Sequence, residues 1–322
     1  MKIVIAFLAG LGLASAALND SCTTKSQRKA WHTLTDDEKS AYIDAVKCLQ
    51  SAAPKLNIDG AQSRWDEIQY THVAQTGVIH SVGAFLPWHR MYVRAHEYLL
   101  QSECGYTGGQ PYWNETRDIG AIASSTIWDT DTGFGGNGTG TDSCVQDGPF
   151  ANLTLHFVAN AGLDDYCLSR DFDEETLEGA SQTNLDTCLD AEDFETVWDC
   201  LEGPPHAAGH GGTGGTMVDL SSSAGDPVFF LHHAWLDKIW WEWQSQNLSY
   251  RLTEIGGDNV PPDEYFNFTG LNYPSTAITD YDGDPGNTTT LNHNLWMAGI
   301  VDNYTIRDVM DMDNNLNCAE YV

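Results

Sequence analysis

His72-Val73-Ala74-Gln75-Thr76-Gly77-Val78-Ile79-His80, followed by Phe85-Leu86-Pro87-Trp88-His89-Arg90, is the stretch on which the reading of this chain turns. A second stretch answers it: Pro205-His206-Ala207-Ala208-Gly209-His210, then Asp226-Pro227-Val228-Phe229-Phe230-Leu231-His232-His233-Ala234-Trp235-Leu236-Asp237. His206 and His210 stand four apart, so on a helical turn they share a face and can grip one metal ion. His72 and His80 stand eight apart, about 12 Å of rise on a straight helix, which is too far for one ion. Gly77 and Gly83 predict a helix end between them, with His80 on a loop that folds back. His89 then arrives from the next helix. His232 and His233 point about 100° apart on a helix, so only one of them can join His206 and His210. Asp237 is four after His233, shares its face and can orient its imidazole, which favours His233.

Neutral imidazoles without carboxylate or thiolate ligands suit copper or zinc rather than magnesium or calcium. Six of them, His72, His80, His89, His206, His210 and His233, suit a binuclear site inside a helix bundle. An isolated histidine is ordinarily a core or surface residue. That plain reading applies to His32, His156 and His293, which lie in no motif, and to His96, seven after His89, which reads as structural.

Helical patterning extends outward from these windows. The acidic run Thr35-Asp36-Asp37-Glu38 opens a helix over 33–52, with Tyr42, Ile43, Val46 and Leu49 at helical spacing. A helix over about 62–71 precedes His72, and another runs from about 86 to 101 with Pro87 in its first turn. Helical fragments are expected near 173–180 and 191–200, and the clearest helix covers 226–246. Gly133 to Gly140 is a loop, and Gly209 to Gly215 is again Gly-rich. There is no repeat, linker or second composition block, so a single mainly α, loop-rich domain with few short strands is expected.

The formal net charge of −31 over 322 residues excludes nucleic-acid binding, which needs basic charge to displace counterions. It also argues against docking on an anionic membrane. Lys2, the apolar run Ile3 to Leu13, and Ala14-Ser15-Ala16 read as a signal peptide over 1–16, so the mature domain is expected to span 17–322 and to act outside the cell. Eight cysteines, an even number with no C-x-x-C pair, suggest disulfides in a secreted chain. Asn19, Asn114, Asn137, Asn152, Asn247, Asn267, Asn287 and Asn303 head glycosylation triplets.

Both histidine windows closely resemble the copper motifs of the tyrosinase, catechol oxidase and hemocyanin superfamily. H-x7-H-x8-H with F-L-P-W-H-R and Glu97 is similar to the copper A motif. H-x3-H followed by D-P-x-F-x-x-H-H-x3-D is similar to the copper B motif. Arthropod hemocyanins carry only the second histidine of the H-H pair, which again selects His233. Arg28-Lys29-Ala30-Trp31, Thr305 to Met310 and Cys318 to Tyr321 resemble further segments of the short secreted fungal members. The resemblance implies a central four-helix bundle, two copper ions, O2 as co-substrate, and no C-terminal shielding domain. The implied reaction oxidises an o-diphenol to an o-quinone while O2 becomes water.

The same resemblance assigns roles around the metals. Glu202, four before His206, matches a water-holding glutamate used in monophenol hydroxylation. Ala207 stands where efficient tyrosinases often carry Asn, and alanine cannot hydrogen-bond to that water. Gly211 follows the second copper B histidine and adds neither bulk nor charge. Leu220 matches the gate over the copper. Val78 replaces a cysteine that forms a thioether in many members, so no such bridge is expected. The balance favours diphenol oxidation of small phenols. The rivals are a tyrosinase acting on monophenols or o-aminophenols, a hemocyanin-like O2 carrier, and a binuclear zinc hydrolase.

Overall fold

The computed structural model describes residues 22–274, 284 and 286–322. The expected signal peptide and Asn19 lie outside the described residues. The helices that matter here are α1 (Asp36–Ser51), α2 (Arg64–Val73), α3 (Thr76–Ile79), α4 (Phe85–Cys104), α5 (Glu115–Asp118), α6 (Glu174–Leu177), α7 (Gln182–Leu189), α8 (Phe194–Glu202), α9 (Pro204–Thr213) and α10 (Val228–Gln246). Short strands form three two-stranded pairs. They are β1 (Ser26–Arg28), β2 (Thr154–Val158), β3 (Gly162–Cys167), β4 (Asn294–Leu295), β5 (Tyr304–Thr305) and β6 (Ala319–Tyr321). The expected mainly α fold with few short strands is what the chain adopts.

Local chemistry sets the helix ends. Thr35 caps α1 in a reciprocal capping box with Glu38, so the helix begins at Asp36 rather than at 33. A separate 3-10 turn covers Trp31–Thr33. Ser63 and Asp66 form a second capping box on α2, which runs on through His72. Gly105, at φ 69°, stops α4 in the left-handed conformation open to glycine. Pro204 and Pro205 occupy the first turn of α9, where a missing N–H costs little. The Gly-rich run continues this helix to Thr213. Gly209 is required there, because a Cβ would fall 2.1 Å from His232 Nδ1. Helix α7 lies between the fragments expected near 173–180 and 191–200 and was not expected.

The disulfides pair Cys22 with Cys318, Cys48 with Cys104, Cys144 with Cys167 and Cys188 with Cys200. The first joins the two ends of the domain, where β1 and β6 pair in parallel. Among the described residues, no helix is long and apolar enough to cross a membrane.

The bundle has an ionic spine. Arg28, fully buried on β1, donates to Glu97 on α4 at 2.8 Å and to Asp237 on α10 at 3.1 Å. Arg90 on α4 donates from Nε to the other Asp237 oxygen at 2.5 Å, and its guanidinium lies 3.7 Å from the centre of the Trp240 ring. The Tyr321 hydroxyl donates to Asp237 at 2.5 Å and accepts from Arg28 at 2.9 Å. Burial alone would raise the Glu97 carboxyl, but Arg28, helped by Arg94 and Ser26, pulls it down to about 2. Because the folded value lies below the unfolded one, this pairing stabilises the fold above pH about 4.3 and is lost as pH falls towards 2. Stability measured by urea unfolding should therefore decline through that window. Arg28→Met, which leaves buried Glu97 with only Arg94 at 3.7 Å as a cationic neighbour and takes one of two guanidinium groups from Asp237, should cost about 3–5 kcal/mol at neutral pH in the same measurement.

Candidate metal centre

Two groups of side chains are spaced to hold a metal ion, His72 with His80 and His89, and His206 with His210, His232 and His233. In the first group, His72 sits at the end of α2 and His89 in the second turn of α4. His80 follows the single turn of α3 in an extended conformation, off any helix. The ring centres of His72 and His80 are 5.2 Å apart, those of His80 and His89 5.2 Å, and those of His72 and His89 5.8 Å. His206 and His210 share one face of α9, with ring centres 4.5 Å apart. His233 comes from α10, stacks on His89 at 4.2 Å and so lies between the two groups.

Backbone carbonyls fix the tautomers. Nδ1 of His72 faces Ser221 O at 2.9 Å, that of His80 faces Thr76 O at 3.1 Å, and that of His89 faces Phe85 O at 2.8 Å. His210 Nδ1 faces Met217 O at 2.6 Å. A carbonyl only accepts, so each Nδ1 carries the proton and each Nε2 presents a lone pair. Nε2 of His72, His89 and His206 is buried with no protein partner. Such orphaned buried atoms are costly unless something binds them. Nε2 of His210 and Nε2 of His233 stand 3.3 Å apart, about the spacing of two imidazole nitrogens on one tetrahedral ion with bonds of about 2.0–2.1 Å.

Electrostatics agree with a site for cations. Burial holds His72 and His80 down at about 3. Burial, reinforced by neighbouring imidazoles, drives His89, His206, His210 and His233 well below the usual range. All six are thus neutral bases at ordinary pH. Two aromatic rings close the walls: Phe85 lies 4.9 Å from His206 and Phe229 lies 4.2 Å from His233.

His232 behaves differently from His233. Its Nδ1 shares a hydrogen bond of 2.5 Å with the fully buried Glu115 on α5, and both press against the backbone of α9 at Gly209. Glu115 lies in the polar run Asn114 to Asp118, and nothing in its spacing marks it as a partner for a residue 117 positions away. Asp237 must be corrected. It reaches no imidazole, because Arg28 and Tyr321 occupy one oxygen and Arg90 the other. Asp237 lies one turn from His233, but Arg28 and Arg90 are long enough to claim it.

The remaining positions are scattered around the site's edge. Glu202 ends α8, half-buried, and accepts from the Ser81 N–H and from Trp198 Nε1, each at 2.6 Å. Burial pushes its carboxyl up to about 8, against those two donors. Ala207 is exposed. A Cβ on Gly211 would meet Thr176 Cγ2 at 2.4 Å, so that position faces α6. Leu220 is half-buried on the strap Met217–Ser221, whose two end carbonyls hold His210 and His72. Of the remaining histidines, His96 stacks on Phe230 at 3.7 Å, His156 contacts Asp165 and His293 contacts Asp284. None of these three, nor His32, belongs to a metal-capable group among the described residues.

A helical scaffold presenting two nests of neutral imidazoles makes a candidate binuclear metal centre. Residues 62–246 match the common central domain of tyrosinase, and the chain belongs to the tyrosinase family. A tyrosinase-like protein of Diaporthe leptostromiformis, phomQ1, is 32% identical over 323 residues, covering 93% of this chain and 78% of its own length. The N-acetyl-6-hydroxytryptophan oxidase ivoB of Emericella nidulans is 32% identical over 274 residues, covering 68% of this chain and 75% of its own. The solved structure of a polyphenol oxidase from Thermothelomyces thermophila superposes with a TM-score of 0.79 at 27% identity, over 92% of this chain and 89% of that one. The family is one of dicopper oxidoreductases acting on phenols with O2.

Glu115→Leu should leave His232 Nδ1 buried without a partner and lower stability by about 1–3 kcal/mol in urea unfolding. Glu115→Gln, which still offers a hydrogen-bonding group, should recover most of that loss.

Proposed function

We propose that this chain is a catechol oxidase, converting o-diphenols to o-quinones while reducing O2 to water. The observation that carries the metal assignment is the convergence of the imidazoles: carbonyls fix Nδ1 of His72 and His89 while their Nε2 atoms lie buried without protein partners, and Nε2 of His210 meets Nε2 of His233 at 3.3 Å. His72, His80 and His89 would hold one copper ion, and His206, His210 and His233 the other. Copper in these nests supplies the redox chemistry. The chain's own residues orient the ligands and keep the site dry, Phe85 and Phe229 forming apolar walls against the imidazoles. His232, whose Nδ1 is bonded to Glu115, would not be a ligand. His233→Ala should therefore reduce copper content from two per chain towards one, whereas His232→Ala should keep both, as read by metal analysis.

Diphenol oxidation is favoured over monophenol hydroxylation by two features. Ala207 offers no hydrogen bond to a phenol or to a water. Both oxygens of Glu202 are already engaged by Ser81 and Trp198. The second reading, a tyrosinase, rests on that same carboxylate, which lies four residues before His206 and can accept further hydrogen bonds. Leu220 would act as the gate and Gly211 as a selectivity position bounded by Thr176. The relative named for N-acetyl-6-hydroxytryptophan suggests that fused aromatic hydroxyl compounds also fall within reach.

Four disulfides suit an oxidising compartment, in keeping with export of the chain. Asn152, Asn247 and Asn267 are exposed and well placed for glycans.

The deciding experiment combines copper content with initial rates on catechol and on tyrosine. Two coppers per chain and a catechol rate more than about tenfold above that on tyrosine, about 1.4 kcal/mol of barrier, are expected. Fast tyrosine turnover without a lag would replace this reading with the tyrosinase one. Zinc without copper would remove both.

A further inference from the structure

His80 is the one imidazole of its group that no helix positions, so something else must hold it. It is followed by Ser81, whose φ of 53° is a left-handed conformation disfavoured for a residue with a Cβ. The Ser81 N–H donates to Glu202 Oε1 at 2.6 Å. Glu202 Oε2 in turn accepts from the indole N–H of Trp198, one turn back along α8, at 2.6 Å. On the other side the same loop is pressed against a second backbone segment. Gly83 N donates to Asp258 O at 3.0 Å, and a Cβ on Gly83 would lie 1.9 Å from Gly256 O. A Cβ on Gly257 would lie 2.6 Å from Trp198 Cζ3 and 3.0 Å from Gly83 Cα. Trp198 therefore both bonds the carboxylate and backs the segment that traps the loop.

We propose that Glu202 and Trp198 are positioning residues, a clamp that fixes His80 relative to the helix bearing His206 and His210. Glu202 is the last residue of α8, and Gly203 is the N-cap of α9. Holding Ser81 from this point ties the loop of one metal nest to the start of the helix that builds the other. A carboxyl group whose two oxygens each accept from a fixed N–H, Ser81 on one and Trp198 on the other, is a directional tether. Outer partners that orient a metal ligand typically change metal affinity by about 10–100-fold when removed. The clamp rests on the dicopper assignment made above, but it gives Glu202 a task at the metal rather than at the phenol.

The test uses the full-length, copper-loaded protein and titrates it with a competing copper chelator, following metal content and the Cu(II) EPR signal. Wild type should keep two ions that are magnetically coupled and therefore EPR-silent. Glu202→Ala should lose one ion about 10–100-fold more readily, leaving a single uncoupled Cu(II) with a full EPR signal. Glu202→Gln keeps one acceptor oxygen for the Ser81 N–H but turns its NH2 towards the Trp198 N–H, and should recover part of the loss. Trp198→Phe keeps an aromatic ring but loses the N–H and the outer indole edge, and should fall between. If Glu202→Ala does not fold, Trp198→Phe, which removes one of the two hydrogen bonds to Glu202, carries the same readout, and wild-type affinity for both ions in it overturns the clamp. Wild-type affinity for both ions in Glu202→Ala, with only phenol turnover changed, overturns the clamp and leaves the dicopper assignment standing. Equal loss of both ions with a lowered Tm overturns it too, as a general loss of structure. Absence of copper from the wild-type protein removes the assignment and the clamp together.

Discussion

The carboxylate of Asp237 receives two guanidinium groups that reach it from distant parts of the chain, and the site depends on that meeting. Arg90 stands next to His89 on α4, and Asp237 stands one turn after His233 on α10. Their bond locks the two helices in register directly behind the imidazoles that stack on each other at 4.2 Å. Arg28 adds the strand at the start of the domain, and Tyr321 adds the strand at its end. Charges this deeply buried are a poor source of stability compared with apolar packing, because their desolvation offsets most of the attraction. They are better understood as a device for specificity. Unpaired, each would be strongly unfavourable, so alternative packings in which α4 slides on α10 are excluded.

A second constraint comes from the imidazoles themselves. A nest of neutral bases with orphaned lone pairs is an unfavourable thing to bury, and the apo fold carries that cost. Metal binding relieves it, so metal affinity and folding stability draw on the same source. The carbonyl bonds to Nδ1 resolve a difficulty that burial alone would leave. An imidazole free to exchange tautomers would present a proton to the metal half of the time. With Phe85, Thr76, Ser221 and Met217 each accepting, the lone pairs face inward before any ion arrives.

Much of this was legible in the sequence because spacing is a geometric statement. A separation of four positions from His206 to His210 places both on one helix face, and a separation of eight from His72 to His80 cannot do so without a break. The break is there, as α3 and the extended His80. Helix starts were readable where a capping residue lies beside an apolar pattern, as at Thr35. The reading failed where partners are distant in the chain. Glu115 meets His232 across 117 positions, and Asp237 is claimed by arginines that periodicity does not see. Gly-rich composition was also a poor guide at α9. There the glycines serve close approach rather than flexibility, since Gly209 and Gly211 admit His232 and Thr176 against the helix backbone. Disulfide partners, too, are set by the three-dimensional path and not by spacing.

The strap from Met217 to Ser221 has a bearing on how such a site can diversify. Its first carbonyl holds His210 and its last holds His72, so five residues span from one metal nest to the other. A strap of fixed ends is a ruler. Inserting or deleting a residue would pull one imidazole out of alignment, whereas exchanging the side chain at Leu220 leaves the ruler's length intact. Variation in what enters the site is therefore channelled into side-chain identity at constant loop length.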